Sequence, residues 1–474
     1  MKNQLVVGFL SLFLFTACGR GGNNNSPQTY EELGFLPFSA TTLPYGTELW
    51  KTDGTEAGTM LVKDINPGDT LLVNSYPQDF TLFNGKVYFS ADDGIHGPEL
   101  WKTDGTEAGT VMVKDIYKSD AALGSNPHSF TIANNQLFFV ANDGYYDYGI
   151  ELWKTDGTEA GTVIIKDIYP GAGNSDPRNL NVLNGILYFR ANDPTHGIGL
   201  WKSDGTAAGT ELVKDVNPGE LLYSYDSKYV VYNDELYFVD TDAIHGYELW
   251  KTDGTEAGTV MVKDIYPGSA DGMFDYANRL LSLIVLNNSL YFLADDGSGR
   301  ELWMTDGTDS GTVKLPYAYP ATLSRVNESV VLGNVQYFTA NDGSHGYELW
   351  KTDGMNSGAT TLVKNINPGV EASTPFQYIV YNNEIYFVAY TSNYGFELWK
   401  SDGTEIGTVL VKDINSSAQA SSSPFSLTLF DNKFYFSADD GTNGSELWQS
   451  DGTETGTVML KDIASGAYSS SPFQ

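Results

Sequence analysis

FTLFNGKVYFSADDGIHGPELWKTDGTEAGTVMVKDI, running from Phe80 to Ile116, is the stretch on which the fold turns. FTLF and KVYFSA are short apolar, β-rich runs separated by Asn84-Gly85. That pair suits a two-residue hairpin turn, which needs positive φ at both positions. A third run, ELWKT, follows a glycine-bearing turn, and a fourth, TVMVKDI, follows an Asp-Gly loop. The hairpin slot is refilled along the chain by Asn134-Asn135, Asn184-Gly185, Asn233-Asp234, Asn287-Asn288, Gly333-Asn334, Asn382-Asn383 and Asp431-Asn432. All of these residue types tolerate a left-handed backbone. Helical periodicity is absent throughout.

The unit recurs. All nine tryptophans, Trp50, Trp101, Trp153, Trp201, Trp250, Trp303, Trp350, Trp399 and Trp448, occupy one slot, 47 to 53 residues apart. Four antiparallel strands in about 49 residues, repeated, describe a β-propeller blade. Neighbouring blades cover both faces of each sheet, which explains why Val87 to Phe89 and their copies are apolar without alternation. The expectation is an all-β chain: a β-propeller of four-stranded antiparallel blades, nine in number, with an eight-bladed ring plus a loosely attached first unit as the alternative. A parallel β-helix would need shorter coils and no tight hairpins. The first unit, Phe35 to Ile65, lacks a first strand, and the last residues, Ser469 to Gln474, match Ser421 to Phe425, which precede a first strand. The C-terminal residues are therefore expected to supply the missing strand and close the ring. Their abrupt stop is equally compatible with a truncated chain.

Sixty acidic residues against 27 basic ones in 474 give a formal net charge of −33. That charge repels phosphate backbones and anionic membrane surfaces, so nucleic acid is excluded as a partner. The only cysteine is Cys18. Before it stand Met1-Lys2, an apolar run from Leu5 to Phe15 too short to span a bilayer, and Thr16-Ala17, the layout of an export signal. Thr16-Ala17-Cys18 resembles the lipobox of bacterial lipoproteins, which implies lipidation of Cys18. Residues 1–17 are thus read as a lipoprotein signal peptide and 18–34 as a lipid-anchored flexible tether, small and polar from Gly19 to Gln28. Residues 35–474 are read as one propeller domain. Gly19 in the position after the cysteine implies the outer membrane, with a periplasmic or cell-surface orientation; contact with the membrane is through the lipid alone.

With these residues laid out, the pattern ELW-x-x-DGT-x-x-GT resembles the ELWxxDGT repeat family of bacterial exported proteins, over Phe35 to Ile463. The resemblance implies an exported propeller-like protein and no settled catalytic residues. Departures from the pattern are Gly199 in place of Glu, Met304 and Gln449 in place of Lys, and Met355-Asn356 after Asp353.

A catalytic site needs one preorganised arrangement rather than nine, so the repeated residues read as architecture. Asp53, Asp104, Asp156 and their counterparts are expected to bond backbone N–H groups of their own loops, as in the Asp-boxes of sialidase propellers, which these loops resemble. The tryptophans are expected to pack between blades, where truncation to Ala costs about 3–5 kcal/mol. His96, His196, His245 and His345 read as turn residues, since they sit too far apart to share one metal ion. The acidic turns suit a hard cation better. Calcium is the cofactor they would take, through Asp92, Asp93, Asp143, Asp193, Asp240, Asp242, Asp295, Asp296, Asp342, Asp439 and Asp440, although Asn-Asp-Gly is ordinary turn chemistry as well. Ligand-binding candidates come from residues that break the repeat: Arg190, which interrupts an apolar strand, and Tyr145, Tyr146, Tyr148, Tyr223 and Tyr225.

The functional expectation is a lipid-anchored cell-envelope propeller acting as a non-enzymatic binding module for a glycan or protein. The alternatives are a glycosidase or lyase on the same scaffold, and a purely structural envelope protein. A sialidase-like enzyme would require arginines such as Arg190, Arg279 and Arg325 to converge near the axis.

Overall fold

The computed structural model describes residues 29–68, 73–118, 123–144, 148–217, 229–242, 244–273, 283–315, 329–354, 360–369 and 371–473. Cys18, Tyr145, Tyr146, Tyr223, Tyr225, Arg279 and Arg325 lie outside them. Nine antiparallel sheets follow one another in a ring, forming a nine-bladed β-propeller. In blade 2 the strands are Gln78–Phe83, Lys86–Asp92, Pro98–Thr103 and Val111–Lys114, paired in that order. The hairpin residues Asn84 and Gly85 have φ of 50° and 69°, the mirror-image turn the sequence calls for.

First strands of successive blades touch one another, as Gln78–Phe83 does His128–Ala133, which sets them innermost around the axis. Blade 1 has three strands of its own, Leu36–Thr42, Gly46–Thr52 and Met60–Lys63. Its innermost position is filled by Phe473, whose N–H and C=O both bond Ser39 across the ring closure, at 3.1 and 2.9 Å. Unit one is therefore a blade of the ring, and the eight-bladed alternative falls. The only helix among the described residues is the single turn Tyr30–Leu33.

The core is a set of seams between blades. Leu49, Val62 and Ile65 on one face of blade 1 meet Phe89, Ala91 and Trp101 of blade 2. Leu100, Val113 and Ile116 then meet Phe139, Ala141 and Trp153 of blade 3. Leu447, Leu460 and Ile463 of blade 9 meet Phe38, Ala40 and Trp50 of blade 1, so the closing seam is built like the others. Trp101, Trp153 and Trp50 are thus buried against the preceding blade.

Lysines of the repeat bond across the seams. Lys51 and Lys63 of blade 1 donate to the backbone carbonyls of Gly105 (2.7 Å) and Thr110 (2.9 Å) in the Asp-Gly loop of blade 2. Lys102 and Lys114 repeat this into blade 3, and Lys461 of blade 9 reaches Thr59 of blade 1 at 2.6 Å. A second-strand tyrosine completes the joint. A Cβ on Gly157 would stand 2.1 Å from the Tyr88 hydroxyl of the preceding blade, and Gly157 has φ of 90°, so only glycine fits the loop there.

Candidate functional site

The Asp-Gly loops close on themselves. In blade 2, Asp104 accepts the N–H of Thr106 (3.0 Å) and its hydroxyl (2.7 Å), while the Thr106 Oγ1 accepts the N–H of Gly109 at 3.0 Å. The same bonds recur at Asp53, Asp156, Asp204, Asp253, Asp306, Asp402 and Asp451. These hydrogen bonds hold each Asp below the ordinary carboxyl range.

The glutamate of ELW does more than the sequence suggested. Glu99 is fully buried, and its carboxylate accepts the N–H groups of Ile116, Tyr117 and Ser125 at 3.0 to 3.1 Å and the Ser125 hydroxyl at 2.6 Å. It thereby ties the third strand to the end of the fourth and to the connection entering the next blade. Glu48–Ser75, Glu151–Ser175, Glu348–Ser373, Glu397–Ser422 and Glu446–Ser470 repeat the arrangement. Burial outweighs the donors and pushes Glu48, Glu151, Glu348 and Glu397 up to about 7. Glu248 meets Gly272 in place of a serine and is pushed to about 8.

On this same face lie the acidic turns between second and third strands. Each carboxylate there caps its own turn. Asp92 accepts from Gly94 (2.7 Å), Asp439 from Gly441 (2.7 Å), Asp295 from Gly297 (2.8 Å) and Gly299 (2.9 Å), and Asp296 from Ser298. Asp143 accepts the N–H of Tyr148 at 2.9 Å, and Asp440 that of Asn443 at 2.8 Å. Asp93, Asp193, Asp242 and Asp342 face the Nδ1 atoms of His96, His196, His245 and His345 at 2.7 to 2.8 Å. The histidines are thus turn residues, and among the described residues no three His, Cys, Asp or Glu side chains are grouped to hold a metal ion.

Arg190 does not approach the axis. It projects from blade 4 into the seam with blade 5, where Nη1 lies 3.0 Å from Oδ2 of Asp240, the side chains 7% and 5% exposed. Tyr229 closes over the pair, stacked edge-on against Phe238. Asp240, one of the calcium candidates, is therefore the counter-ion of Arg190.

What varies from blade to blade gathers at the inner end of the turn face. In blades 1 to 4, 8 and 9 a Ser-x-Pro segment leads into the innermost position, its serine bonding the buried glutamate. The residue before each proline is left-handed, with φ of 42° to 48° at Tyr76, Asn126, Asp176, Thr374, Ser423 and Ser471. A bulge follows in the strand, with positive φ at Asp79, Ser129, Asn179, Gln377 and Ser426. The residue after proline splits the ring into two sets: Gln78, His128 and Arg178 in blades 2 to 4, and a phenylalanine, Phe376, Phe425 and Phe473, in blades 8, 9 and 1. Phe425 is 55% exposed. The axial mouth thus has a polar arc and an aromatic arc. Within the polar arc, His128 lies within electrostatic reach of both Asp79 and Asp176, and Arg178 pairs with Asp176. Enclosure by the channel wall raises the Asp79 carboxyl and lowers the His128 imidazole. Reading the sequence passed over these residues; the signal that finds them is the position following Ser-x-Pro.

No family model matches this chain, and no curated protein matches it. Among solved structures it is similar to a puromycin hydrolase (TM-score 0.38, 12% identity, 84% of this chain and 62% of that one). It is also similar to the β-propeller domain of the Trilobed protease from Pyrococcus furiosus (0.35, 11%, 72% and 98%) and to prolyl oligopeptidase B from Galerina marginata (0.42, 9%, 82% and 51%). The chain spans less than two thirds of the length of the hydrolase and of the oligopeptidase. At these identities nothing about its chemistry follows from them.

Proposed function

We propose that this chain is a non-enzymatic binding propeller, tethered to the outer membrane through Cys18, that takes a glycan or protein ligand at the axial mouth of its turn face. The observation that carries the reading is the division of labour along the repeat. Glutamate, tryptophan, lysine and the Asp-Gly loop recur as joints, whereas the residue after Ser-x-Pro is polar and different in each of blades 2 to 4 and a phenylalanine in blades 8, 9 and 1. Aromatic faces such as Phe376, Phe425 and Phe473 stack on sugar rings or anchor an apolar side chain, and the polar arc opposite supplies hydrogen bonds.

The test is a glycan and envelope-polysaccharide array, with retained material and products both read by mass spectrometry. Phe425→Ala and His128→Ala are expected to weaken retention about tenfold each while leaving the melting temperature in place. Retention unchanged in both variants would remove the ligand from the mouth. Shortened glycan would favour the alternative, a glycosidase or lyase, which would draw on Asp79 and Asp176 on either side of His128. Tolerance of every substitution at the mouth, with no ligand retained, would favour a purely structural envelope protein. The tether has its own check: Cys18→Ser is expected to move the protein from the membrane fraction to the soluble one, and continued membrane association would rule out a lipid anchor there.

A further inference from the structure

One seam of the ring is built differently from the other eight. Everywhere else a single buried cluster spans the joint, as where Leu249, Val262 and Ile265 of blade 5 meet Phe292, Ala294 and Trp303 of blade 6. Between blades 6 and 7 the described apolar residues fall into two separate clusters. Leu286, Tyr291, Leu293 and Leu302 stand on one side, and Phe338, Ala340 and Trp350 on the other. Leu302 is 8% exposed, whereas Leu49, Leu100, Leu152, Leu249, Leu349 and Leu398 in its slot are fully buried.

Among the described residues the lysine bonds of the joint are missing at the same place. At the eight other seams a lysine of the preceding blade reaches the loop backbone of the next, down to one lysine per seam, as with Lys263 to the Asp309 carbonyl (3.1 Å) and Lys412 to that of Thr457 (2.8 Å). In blade 6 the first of these lysines is Met304. The second is absent from the sequence, where Pro316 follows Leu315. Lys314, two residues earlier and paired with Trp303, turns back within its own blade to Ser298 (2.6 Å) and Asp296 (3.4 Å). The described contacts that cross the seam lie at the hairpin tip: Asn287 Nδ2 to the Asp353 carbonyl (2.9 Å), and Tyr291 against Gly354. These departures from the repeat, scattered in the sequence, meet at one joint.

We propose that the seam between blades 6 and 7 is the joint at which the ring parts, ahead of the seam closed by the chain's two ends. In a closed ring every blade is held on two sides, so opening must begin where one seam fails. Among the described residues, apolar burial and lysine bonds both fall to their minimum at this seam. The closing seam, by contrast, keeps a continuous core and Lys461.

Hydrogen exchange on the full mature chain, read by mass spectrometry, tests this. Amides of Arg300–Thr305 and Val335–Asn341 are expected to exchange about tenfold faster than those of Pro98–Thr103 and Gln136–Asn142 at the seam between blades 2 and 3. Met304→Lys, which supplies the missing cation, is expected to slow exchange in Val335–Asn341 and nowhere else. Lys102→Met is expected to speed exchange in Gln136–Asn142. Earlier exchange in Leu36–Thr42 and Val458–Lys461 would place the opening at the closing seam and overturn the proposal, as would equal protection at all seams.

Discussion

Arg190→Met is expected to lower the free energy of unfolding by about 3–5 kcal/mol, because it leaves the Asp240 carboxylate buried without its counter-ion. The pair sits between blades 4 and 5 with 7% and 5% of its side chains exposed, at 3.0 Å, too far from solvent for water to replace the guanidinium. The repeat itself provides the rescue. The Arg190 slot holds Val140 in blade 3 and Val239 in blade 5, and the Asp240 slot holds Ala141 and Ala191. The double variant Arg190→Val with Asp240→Ala therefore restores an ordinary seam and is expected to match the parent in stability or exceed it, as often happens when a buried ion pair gives way to apolar packing. Urea unfolding of the three proteins, with ligand retention measured beside it, separates the roles. A cost below about 1 kcal/mol in the single variant would mean that the pair is not a buried charge pair at all. A stable double variant that no longer retained ligand would make the pair a positioning element for the mouth rather than a seam bond.

Stability is expected to fall as pH rises from about 5 to 8, the reverse of a protein held by ionised carboxylates. Burial raises Glu48, Glu151, Glu348 and Glu397 from 4.5 to about 7, and Glu248 to about 8. A carboxyl raised in the folded chain holds its proton there after the unfolded chain has lost it. The stability it adds is complete below 4.5 and is withdrawn as pH climbs through 7. Each group that titrates in this window removes up to about 1.4 kcal/mol per pH unit. The geometry accommodates the proton. Ser373 Oγ lies 2.6 Å from Glu348 Oε2 and 3.2 Å from the Tyr347 carbonyl, so the hydroxyl can accept from a protonated carboxyl while donating to that carbonyl. His96 and His245, raised mainly by their hydrogen bonds to Asp93 and Asp242, act in the same direction. The loop aspartates, held low by hydrogen bonds from threonine, oppose it only as pH drops below 3.8. Melting temperatures between pH 4 and 8.5 should therefore peak between about 4 and 5. Glu397→Gln should flatten the slope by one proton's worth. A curve that is level or rising from pH 5 to 8 would show that the buried glutamates are charged in the folded state.

The architecture could be read from one unit because its cues are local. Asn84-Gly85 dictates a turn by backbone sterics alone, and Trp101 and its copies announce a buried slot by their spacing. The joints could not be read, because each has its second half elsewhere. Glu99 finds Ser125 across a variable connection, and the Ser-x-Pro segment, noticed at Ser421 to Phe425 and Ser469 to Gln474, gave a clue to ring closure but none to a buried carboxyl. Lys51 looks like an ordinary surface cation, since its partner is the backbone carbonyl of Gly105 and carbonyls leave no trace in a sequence. Arg190 stands out in the sequence as a cation in an apolar strand, yet its partner lies fifty residues on, in the next blade. His128 and Phe425 gave no sign because variable residues in a connection look like drift until the ring brings them to one mouth.

The direction of the seam bonds has one last consequence. At eight of the nine seams a lysine reaches forward into the following blade, and the loop carbonyls receive it from behind. Blades joined in this way carry a head and a tail that are complementary to each other and not to themselves. Such heterologous surfaces either close on themselves or propagate. A fragment of a few blades would expose one of each, and it is expected to join further copies end to end until the accumulated rotation returns to the start.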